Sequence, residues 1–202
     1  MASNKKFSKG QITGLLSPSL EMWRLNKIRN HIVGDYILDF GCGYGKLAAK
    51  IPEINYIGVD IDEEVIESAR EINADFKKAR FYNVGRSEWR SHKFDTIILA
   101  AVIEHLDNPS QILIDFKKLL KSNGRIIITT PAPKASTILL IGSKFGLFSR
   151  EALEEHKTLL DESNFIYLSD IVGLKLELYE KFEFGLNQII IYKNIGGFRK
   201  TL

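Results

Sequence analysis

The chain has 202 residues, of which 45% are hydrophobic, 26% are charged and one is a cysteine, and its formal net charge is +3. This length and apolar content suit one domain with a substantial core, because a chain of this size buries roughly two-thirds of its unfolded surface. A single cysteine excludes an internal disulfide and fits a reducing compartment, so we expect a cytoplasmic protein.

The positive charge is concentrated at the start of the chain. Residues 1–30 carry six basic side chains against one acidic side chain, a net +5, so the remaining residues carry −2. No aromatic side chains alternate with these charges, so we interpret residues 1–16 as a loose, solvated basic leader and expect no nucleic-acid partner. No apolar run is long enough to predict a signal peptide or a transmembrane segment.

The first predicted helix begins at Ser17-Pro18 and ends before Gly34. Four apolar side chains are predicted on its packing face, namely Leu20, Trp23, Ile28 and Ile32. An apolar strand over residues 36–40 then runs into three glycines spaced by two, whose backbone can approach a ligand closely. Residues 45–51 predict a helix immediately afterwards, so we expect a helix N-terminus that favours an anionic group.

The rest of the chain repeats this alternation of strands and helices. Strands are predicted in NYIGVDID (55–62), KARFYN (78–83), FDTIILAAV (94–102) and RIIITT (125–130), and the second and third of these are apolar enough to be central. The segments LKLELYEKF and LNQIIIYK are separated by too few residues for a parallel crossover, so they predict a hairpin. The order predicts an α/β protein with a doubly wound, mostly parallel sheet and an antiparallel last strand.

Polar residues mark the starts of the later helices. Asp62 is predicted to cap a helix that carries acidic side chains in its first turn. Asn108-Pro109 and Asp161 are predicted to begin two more helices, and Gly173 to end the second of them. The helix after Asp62 is expected to pack through Val65, Ile66, Ala69 and Ile72.

The glycine turn and two later segments carry a family resemblance. The pattern D-x-G-x-G-x-G resembles the first motif of class I S-adenosylmethionine (SAM)-dependent methyltransferases, whereas the dinucleotide fingerprint would need a glycine where the chain has Lys46. Residues 94–109 resemble the fourth-strand motif, and residues 119–131 the fifth-strand motif, of the small-molecule subgroup that includes ubiquinone and menaquinone methyltransferases. The resemblance implies a seven-stranded Rossmann-like methyltransferase fold, with SAM as cofactor and S-adenosylhomocysteine (SAH) as product.

The positions that match the family's motifs imply a cofactor site. Asp60 ends the second strand, where its carboxylate can accept both ribose hydroxyls, so replacing it by alanine is expected to weaken binding with little loss of stability. Ile61 would lie against the adenine, Asn83 would bond the adenine amino group, and the N–H of Val84 would bond a ring nitrogen. The small side chain of Ala100 leaves room for the methionine end. The predicted set is Asp39, Gly41, Cys42, Gly43, Gly45, Asp60, Ile61, Asn83, Val84 and Ala100, with no metal.

Two histidines are candidates for a general base. His105 follows the fourth strand and His156 precedes the helix that Asp161 caps, and each position is equally consistent with a structural role. The N-P-P-Y/F motif of amino-methylating enzymes is absent after the fourth strand, which favours transfer to an oxygen or carbon of a small-molecule acceptor. The alternatives are an NAD(P)-dependent reductase and a non-catalytic SAM-binding module.

Residues 132–150 are predicted to form a lid over the acceptor pocket, because this apolar segment follows the carboxyl end of the fifth strand. A peripheral membrane contact by the same segment is the second interpretation. The whole chain, residues 1–202, is predicted to form a single domain that acts as a monomer or a homodimer.

Overall fold

The computed structural model describes residues 17–133 and 160–196. In these ranges seven strands form one sheet: β1 (Tyr36–Phe40), β2 (Asn55–Asp60), β3 (Ala79–Asn83), β4 (Phe94–Ala100), β5 (Leu120–Pro131), β6 (Lys175–Phe182) and β7 (Asn187–Lys193). The strand order is β3-β2-β1-β4-β5-β7-β6, and β7 is antiparallel to both of its neighbours while the other pairs are parallel. The predicted fold class is therefore confirmed.

Helices cover both faces of the sheet. The helices α1 (Ser17–Arg29) and α2 (Glu63–Ile72) pack on one face, where Ile28 and Ile66 are fully buried. The helices α3 (Pro109–Leu119) and α4 (Glu162–Val172) pack on the other face through side chains that include Phe116 and Phe165. The carboxyl ends of β1 to β5 are left at one edge, which is where open α/β sheets bind ligands.

The predicted starts of α2, α3 and α4 are confirmed by their capping contacts. The Asp62 carboxylate accepts the N–H groups of residues 64 and 65, and the Asn108 side chain accepts the N–H of residue 111. Asp161 and Asn164 form a capping box at the start of α4, and Gly173 ends that helix with φ 68°. These caps depend on neighbouring residues alone, which is why sequence reasoning located them.

The predicted packing faces of α1 and α2 are wrong in part. Trp23 is 42% exposed, and its ring meets that of Phe184 edge to face at 5.8 Å, whereas Leu25 is buried beside the sheet. Ile72, at the end of α2, is also exposed rather than packed. The α1 helix ends at Arg29, earlier than predicted, and the chain leaves it in a turn before Gly34.

Two further predictions are corrected near the glycine turn. The helix expected over residues 45–51 is a single 3₁₀ turn, Ala48–Lys50, because only six residues separate Gly45, which has φ 70°, from Pro52. The turn therefore presents no α-helix N-terminus to an anion. In addition, β3 is an edge strand rather than a central one, and only Phe81 of its five residues is buried.

Several predicted features fall outside the described residues. These are the leader over residues 1–16, residues 134–150 of the predicted lid, and His156. Within the lid range, Ala132 is described and buried, and its N–H donates to the Leu186 carbonyl at 2.8 Å. No helix in the two described ranges is both long and apolar enough to cross a bilayer.

Candidate active site

The glycine turn at the carboxyl end of β1 contains three left-handed residues, with φ 78° at Gly41, 52° at Gly43 and 70° at Gly45. A Cβ on Gly41 would lie 2.3 Å from a Val102 methyl group, and one on Gly45 would lie 2.4 Å from the Phe81 ring. A Cβ on Gly43 would meet nothing within 4 Å. The outer two glycines therefore allow close packing, and Gly43 faces the open side where a ligand can approach.

The Asp60 carboxylate holds this turn against β2. The N–H of Gly43 donates to Asp60 Oδ2 at 2.9 Å, while the N–H groups of Ile61 and Asp62 donate to Oδ1 at 2.7 and 3.2 Å. Three bonds leave part of the carboxylate's acceptor capacity for a further donor. Because three backbone groups would lose their acceptor, we now expect Asp60→Ala to lose stability as well as cofactor binding.

The residues predicted to surround an adenine lie together at the ends of β2 and β3. The Ile61 side chain is 60% exposed, and Asn83 Nδ2 donates to the Ile61 carbonyl at 2.9 Å. Asn83 Oδ1 accepts the N–H of Gly85 at 2.9 Å. The N–H of Val84 already donates to the Asp60 carbonyl at 2.8 Å, so the donor predicted for an adenine ring nitrogen is not available in this structure.

Asp39 is a buried acid beneath the glycine turn. Its side chain is 4% exposed, and the Tyr56 hydroxyl donates to its Oδ2 at 2.6 Å. Its other oxygen, Oδ1, is buried and has no hydrogen-bond partner among the described residues. Burial raises the pKa of Asp39 to about 6. The hydrogen bond from Tyr56 lowers this pKa, and the negative charge of Asp60 raises it further. The site thus holds one carboxylate oxygen that receives no hydrogen bond from the described residues.

Cys42, between the first two glycines, is a neutral packing group. Burial, together with the charges of Asp39 and Asp60, raises the pKa of the Cys42 thiol well above its usual range. Its Sγ lies 2.9 Å from where a Cβ on Gly58 would be, so the thiol fills the space between the turn and β2. A thiol that stays protonated is a poor nucleophile, so the raised pKa argues against a covalent role for Cys42.

The carboxyl end of β4 carries the residues predicted for the methionine end and the base. Ala100 is partly exposed, and the next residue, Ala101, has φ 57°, an unfavourable value for a residue with a Cβ. Glu104 is buried and accepts the Thr130 hydroxyl at 2.9 Å across the β4–β5 edge. His105 is partly buried in the 3₁₀ turn that follows β4. Backbone strain and a buried carboxylate therefore meet at the edge where ligands bind.

Sequence reasoning missed two contributors to this site, Tyr56 and Gly58. Tyr56 is separated from its partner Asp39 by 17 positions along the chain, so no local pattern marks the contact. A Cβ on Gly58 would lie 2.7 Å from the Phe81 ring, which makes this glycine necessary for packing behind the turn. The sequence did contain a signal for Gly58, because a glycine in the middle of an apolar strand indicates close packing against the backbone.

The charges around the turn fit a cationic cofactor. Asp39 and Asp60 both flank it, and the adjacent cation, Lys46, is paired with Glu21 of α1 at 2.6 Å. A pyrophosphate would meet two like charges here, whereas SAM carries a sulfonium and an ammonium group. Among the described residues, the Asp39 oxygen without a partner and the open space at Gly43 are therefore consistent with SAM.

The burial of Asp39 predicts an unusual dependence of stability on pH. A carboxyl whose pKa is raised in the folded state stabilises the fold when protonated, and this contribution is lost as the pH rises through about 6. The free energy of unfolding should therefore fall by about 2 kcal/mol between pH 4 and pH 7 through this group. Because asparagine does not titrate, Asp39→Asn should lack that decline in urea unfolding at pH 4, 5.5 and 7.

Asp115→Asn is the matched control for this experiment. Asp115 is exposed, and its hydrogen bonds to Lys118 and Gln111 lower its pKa, so its small contribution to stability has the opposite sign. The control should retain the decline between pH 4 and pH 7. Parallel pH curves for the wild type and Asp39→Asn would show that Asp39 is not the buried acid responsible.

Known proteins resemble this chain in sequence and in fold. The ubiquinone biosynthesis O-methyltransferase of Actinobacillus pleuropneumoniae serotype 7 (strain AP76) is 24% identical over 84% of this chain and 78% of its own length. The protein of that name from Glaesserella parasuis serovar 5 (strain SH0165) is 29% identical over 66% of this chain, which spans 61% of that relative. Magnesium protoporphyrin IX methyltransferase from Synechocystis PCC 6803, solved with bound SAH, superposes with a TM-score of 0.66 and 18% identity over 93% of this chain and 90% of its own.

The fold and the acidic glycine turn are those of a class I SAM-dependent methyltransferase, with SAM as the cofactor. The family model described as a methyltransferase domain matches residues 33–185, and the chain belongs to that family. Membership in this family rules out the NAD(P)-dependent reductase that the sequence alone left as an alternative.

Proposed function

We propose that this methyltransferase transfers a methyl group to an oxygen of a small-molecule acceptor, with a carbon acceptor as the second candidate. The observation that carries the cofactor side of the proposal is the glycine turn flanked by two carboxylates, one of which has an oxygen with no partner in the part of the chain that the structure describes. The preference for oxygen is supported by the O-methyltransferase names of the curated relatives. The absence of the N-P-P-Y/F motif after β4 agrees with it.

The residues around the turn would hold three parts of the cofactor. Asp60 would accept ribose hydroxyls with the acceptor capacity left by its three backbone bonds. Asp39 would attract the ammonium group through Oδ1, since a buried carboxylate oxygen that receives no hydrogen bond from the described residues favours a positive group. The exposed side chain of Ile61 would cover one face of the adenine.

Asn83 would act at the adenine edge after a change of partner. Both ends of its amide are engaged within the protein, with the Ile61 carbonyl and the Gly85 N–H. An acceptor oxygen can receive a second donor, so Asn83 Oδ1 could still bond the adenine amino group. Selectivity for adenine would then rest on this one oxygen and on the shape that Ile61 and Val84 provide.

The acceptor would approach from the carboxyl end of β4. When bound, SAM supplies a methyl group that its sulfonium sulfur already activates. The remaining task of the protein is alignment, which in favourable cases is worth about 7–11 kcal/mol. The strained Ala101 and the Glu104–Thr130 bond fix the backbone at this edge, and His105 stands next to them as the candidate for removing a hydroxyl proton.

The proposal is tested by SAH release with a panel of hydroxylated small molecules, using a glycine variant to tie the activity to the turn. Gly43→Ala places a Cβ in the open space of the site and forces a left-handed alanine, which costs about 1–2 kcal/mol. We expect wild-type protein to release SAH with at least one hydroxylated acceptor and Gly43→Ala to lose cofactor binding and activity together.

Gly185→Ala is the matched control. Gly185 also has a positive φ, 82°, and a Cβ there would likewise meet nothing within 4 Å, but it lies in the β6–β7 hairpin. Its variant should lose similar stability while keeping SAH affinity and turnover. Equal loss of affinity in both variants would contradict the placement of the cofactor at Gly43, and SAH binding without methyl transfer to any acceptor class would favour the non-catalytic module.

A further inference from the structure

Tyr56 is a buried polar side chain that the proposed chemistry does not use directly. It lies on β2 next to β1, in register with Ile37, and its hydroxyl reaches across to Asp39 Oδ2 at 2.6 Å. The ring is fully buried and packs against Phe81 with centroids 5.6 Å apart, so it has little freedom to move. The hydroxyl is therefore held where it can bond only one of the two Asp39 oxygens.

This bond divides the two oxygens of Asp39 between two tasks. Oδ2 is occupied by Tyr56, and Oδ1 has no donor in the described part of the chain. The charged and titratable groups that face Asp39 are Tyr56 on β2, Asp60 at the end of β2, and the Cys42 thiol in the glycine turn. Tyr56 is the only one of these three described groups that favours the ionised carboxylate, because Asp60 repels a second negative charge and the thiol is neutral.

The Tyr56 hydroxyl remains a hydrogen-bond donor between pH 5 and pH 9, the range of the experiment described below. Burial and the nearby charge of Asp39 raise the pKa of the Tyr56 hydroxyl well above its usual range. The proton therefore stays on the tyrosine, and the pair consists of a neutral phenol and a carboxylate. A hydrogen bond to an ionised group is among the stronger ones in proteins.

We propose that Tyr56 is a positioning residue for the cofactor: its hydroxyl keeps Asp39 ionised and directs the free Oδ1 toward the ammonium group. The inference rests on the proposed placement of Asp39 at the amino-acid end of SAM. Tyr56 does not contact the cofactor, and it acts through the charge and orientation of Asp39.

The test is the pH dependence of SAH affinity, measured by calorimetry between pH 5 and pH 9 for the wild type and Tyr56→Phe. Wild-type affinity should fall as the pH drops through about 6, where Asp39 gains a proton. Tyr56→Phe loses the hydrogen bond to the carboxylate, so its affinity should begin to fall at a pH about one to two units higher than in the wild type. The variant should bind SAH about two- to tenfold more weakly at pH 7 and nearly as well as wild type at pH 9.

Two controls separate this effect from general damage. Methylthioadenosine lacks the amino-acid part of SAH, so its affinity should be the same in the wild type and Tyr56→Phe at every pH. Tyr192→Phe removes another buried hydroxyl, one that lies away from the glycine turn and donates to the Phe165 carbonyl at 2.7 Å. This variant should have the same SAH curve as the wild type.

Two outcomes would overturn the inference. If the SAH curves of the wild type and Tyr56→Phe superimpose, Tyr56 does not control Asp39. If methylthioadenosine binding weakens as much as SAH binding, the effect of Tyr56 is structural. Failure of the underlying cofactor proposal looks different, because Asp39→Asn would then bind SAH with wild-type affinity at pH 7.

Discussion

Replacing the acceptor's general base by glutamine is expected to lower turnover by about 10² to 10⁴, the usual value of positioned proton transfer. The two candidates are His105, which follows β4 at the ligand-binding edge, and His156, which lies outside the described residues. The glutamine variant of the true base should also have a flattened acid limb in its pH profile of kcat, because glutamine does not titrate. SAH affinity should stay within a few-fold of wild type.

His92→Gln is the matched control for the histidine variants. His92 precedes β4 at the opposite edge of the sheet, where its ring lies 5.4 Å from that of Tyr36. Its replacement should change turnover little. If the variants at positions 105 and 156 both keep near-normal turnover from pH 6 to pH 9, neither histidine is the base, and the enzyme works by alignment on an acceptor acidic enough to ionise unaided.

The second large effect is expected for Asp60→Ala. The variant loses the acceptor proposed for the ribose hydroxyls, so SAH affinity should fall by about tenfold or more. It also frees the N–H groups of Gly43, Ile61 and Asp62, so the free energy of unfolding should fall by about 1–3 kcal/mol. Calorimetry with SAH and urea unfolding measure the two losses separately.

Asp62→Ala is the control that separates these losses. Asp62 lies two residues away and caps α2, so its replacement should cost about 1 kcal/mol of stability through the lost cap. Its carboxylate serves the N–H groups of residues 64 and 65 and is not assigned to the cofactor. Affinity unchanged in Asp60→Ala, or reduced equally in both variants, would remove Asp60 from the ribose site.

Local features of the chain were predicted well because they depend on adjacent residues. The strand before the glycines, the caps at Asp62, Asn108 and Asp161, and the hairpin of β6 and β7 all follow from short-range rules of conformation and hydrogen bonding. The alternation of these elements was enough to predict the doubly wound sheet, because right-handed crossovers leave few topologies.

Two predictions failed because their outcome depends on how distant parts of the chain are placed. Trp23 was predicted to pack together with Ile28, but Trp23 is largely exposed, and Leu25 is buried with Ile28 instead. The Val84 N–H was predicted for the ligand, but the Asp60 carbonyl at the neighbouring strand end takes it. Both outcomes depend on the relative placement of elements, which periodicity does not contain.

The sequence by itself determined the fold class, the glycine turn and the acids near it, because each of these depends on residues that are close together along the chain. Only the tertiary structure decided how those acids are used: Asp60 ties the turn to β2, and one oxygen of Asp39 has no donor within residues 17–133 and 160–196. Tyr56 reaches Asp39 because parallel pairing sets β1 beside β2, a contact formed only when the sheet assembles. The charge of the site is therefore a property of the packed sheet, since burial and a long-range hydrogen bond together set the pKa of Asp39.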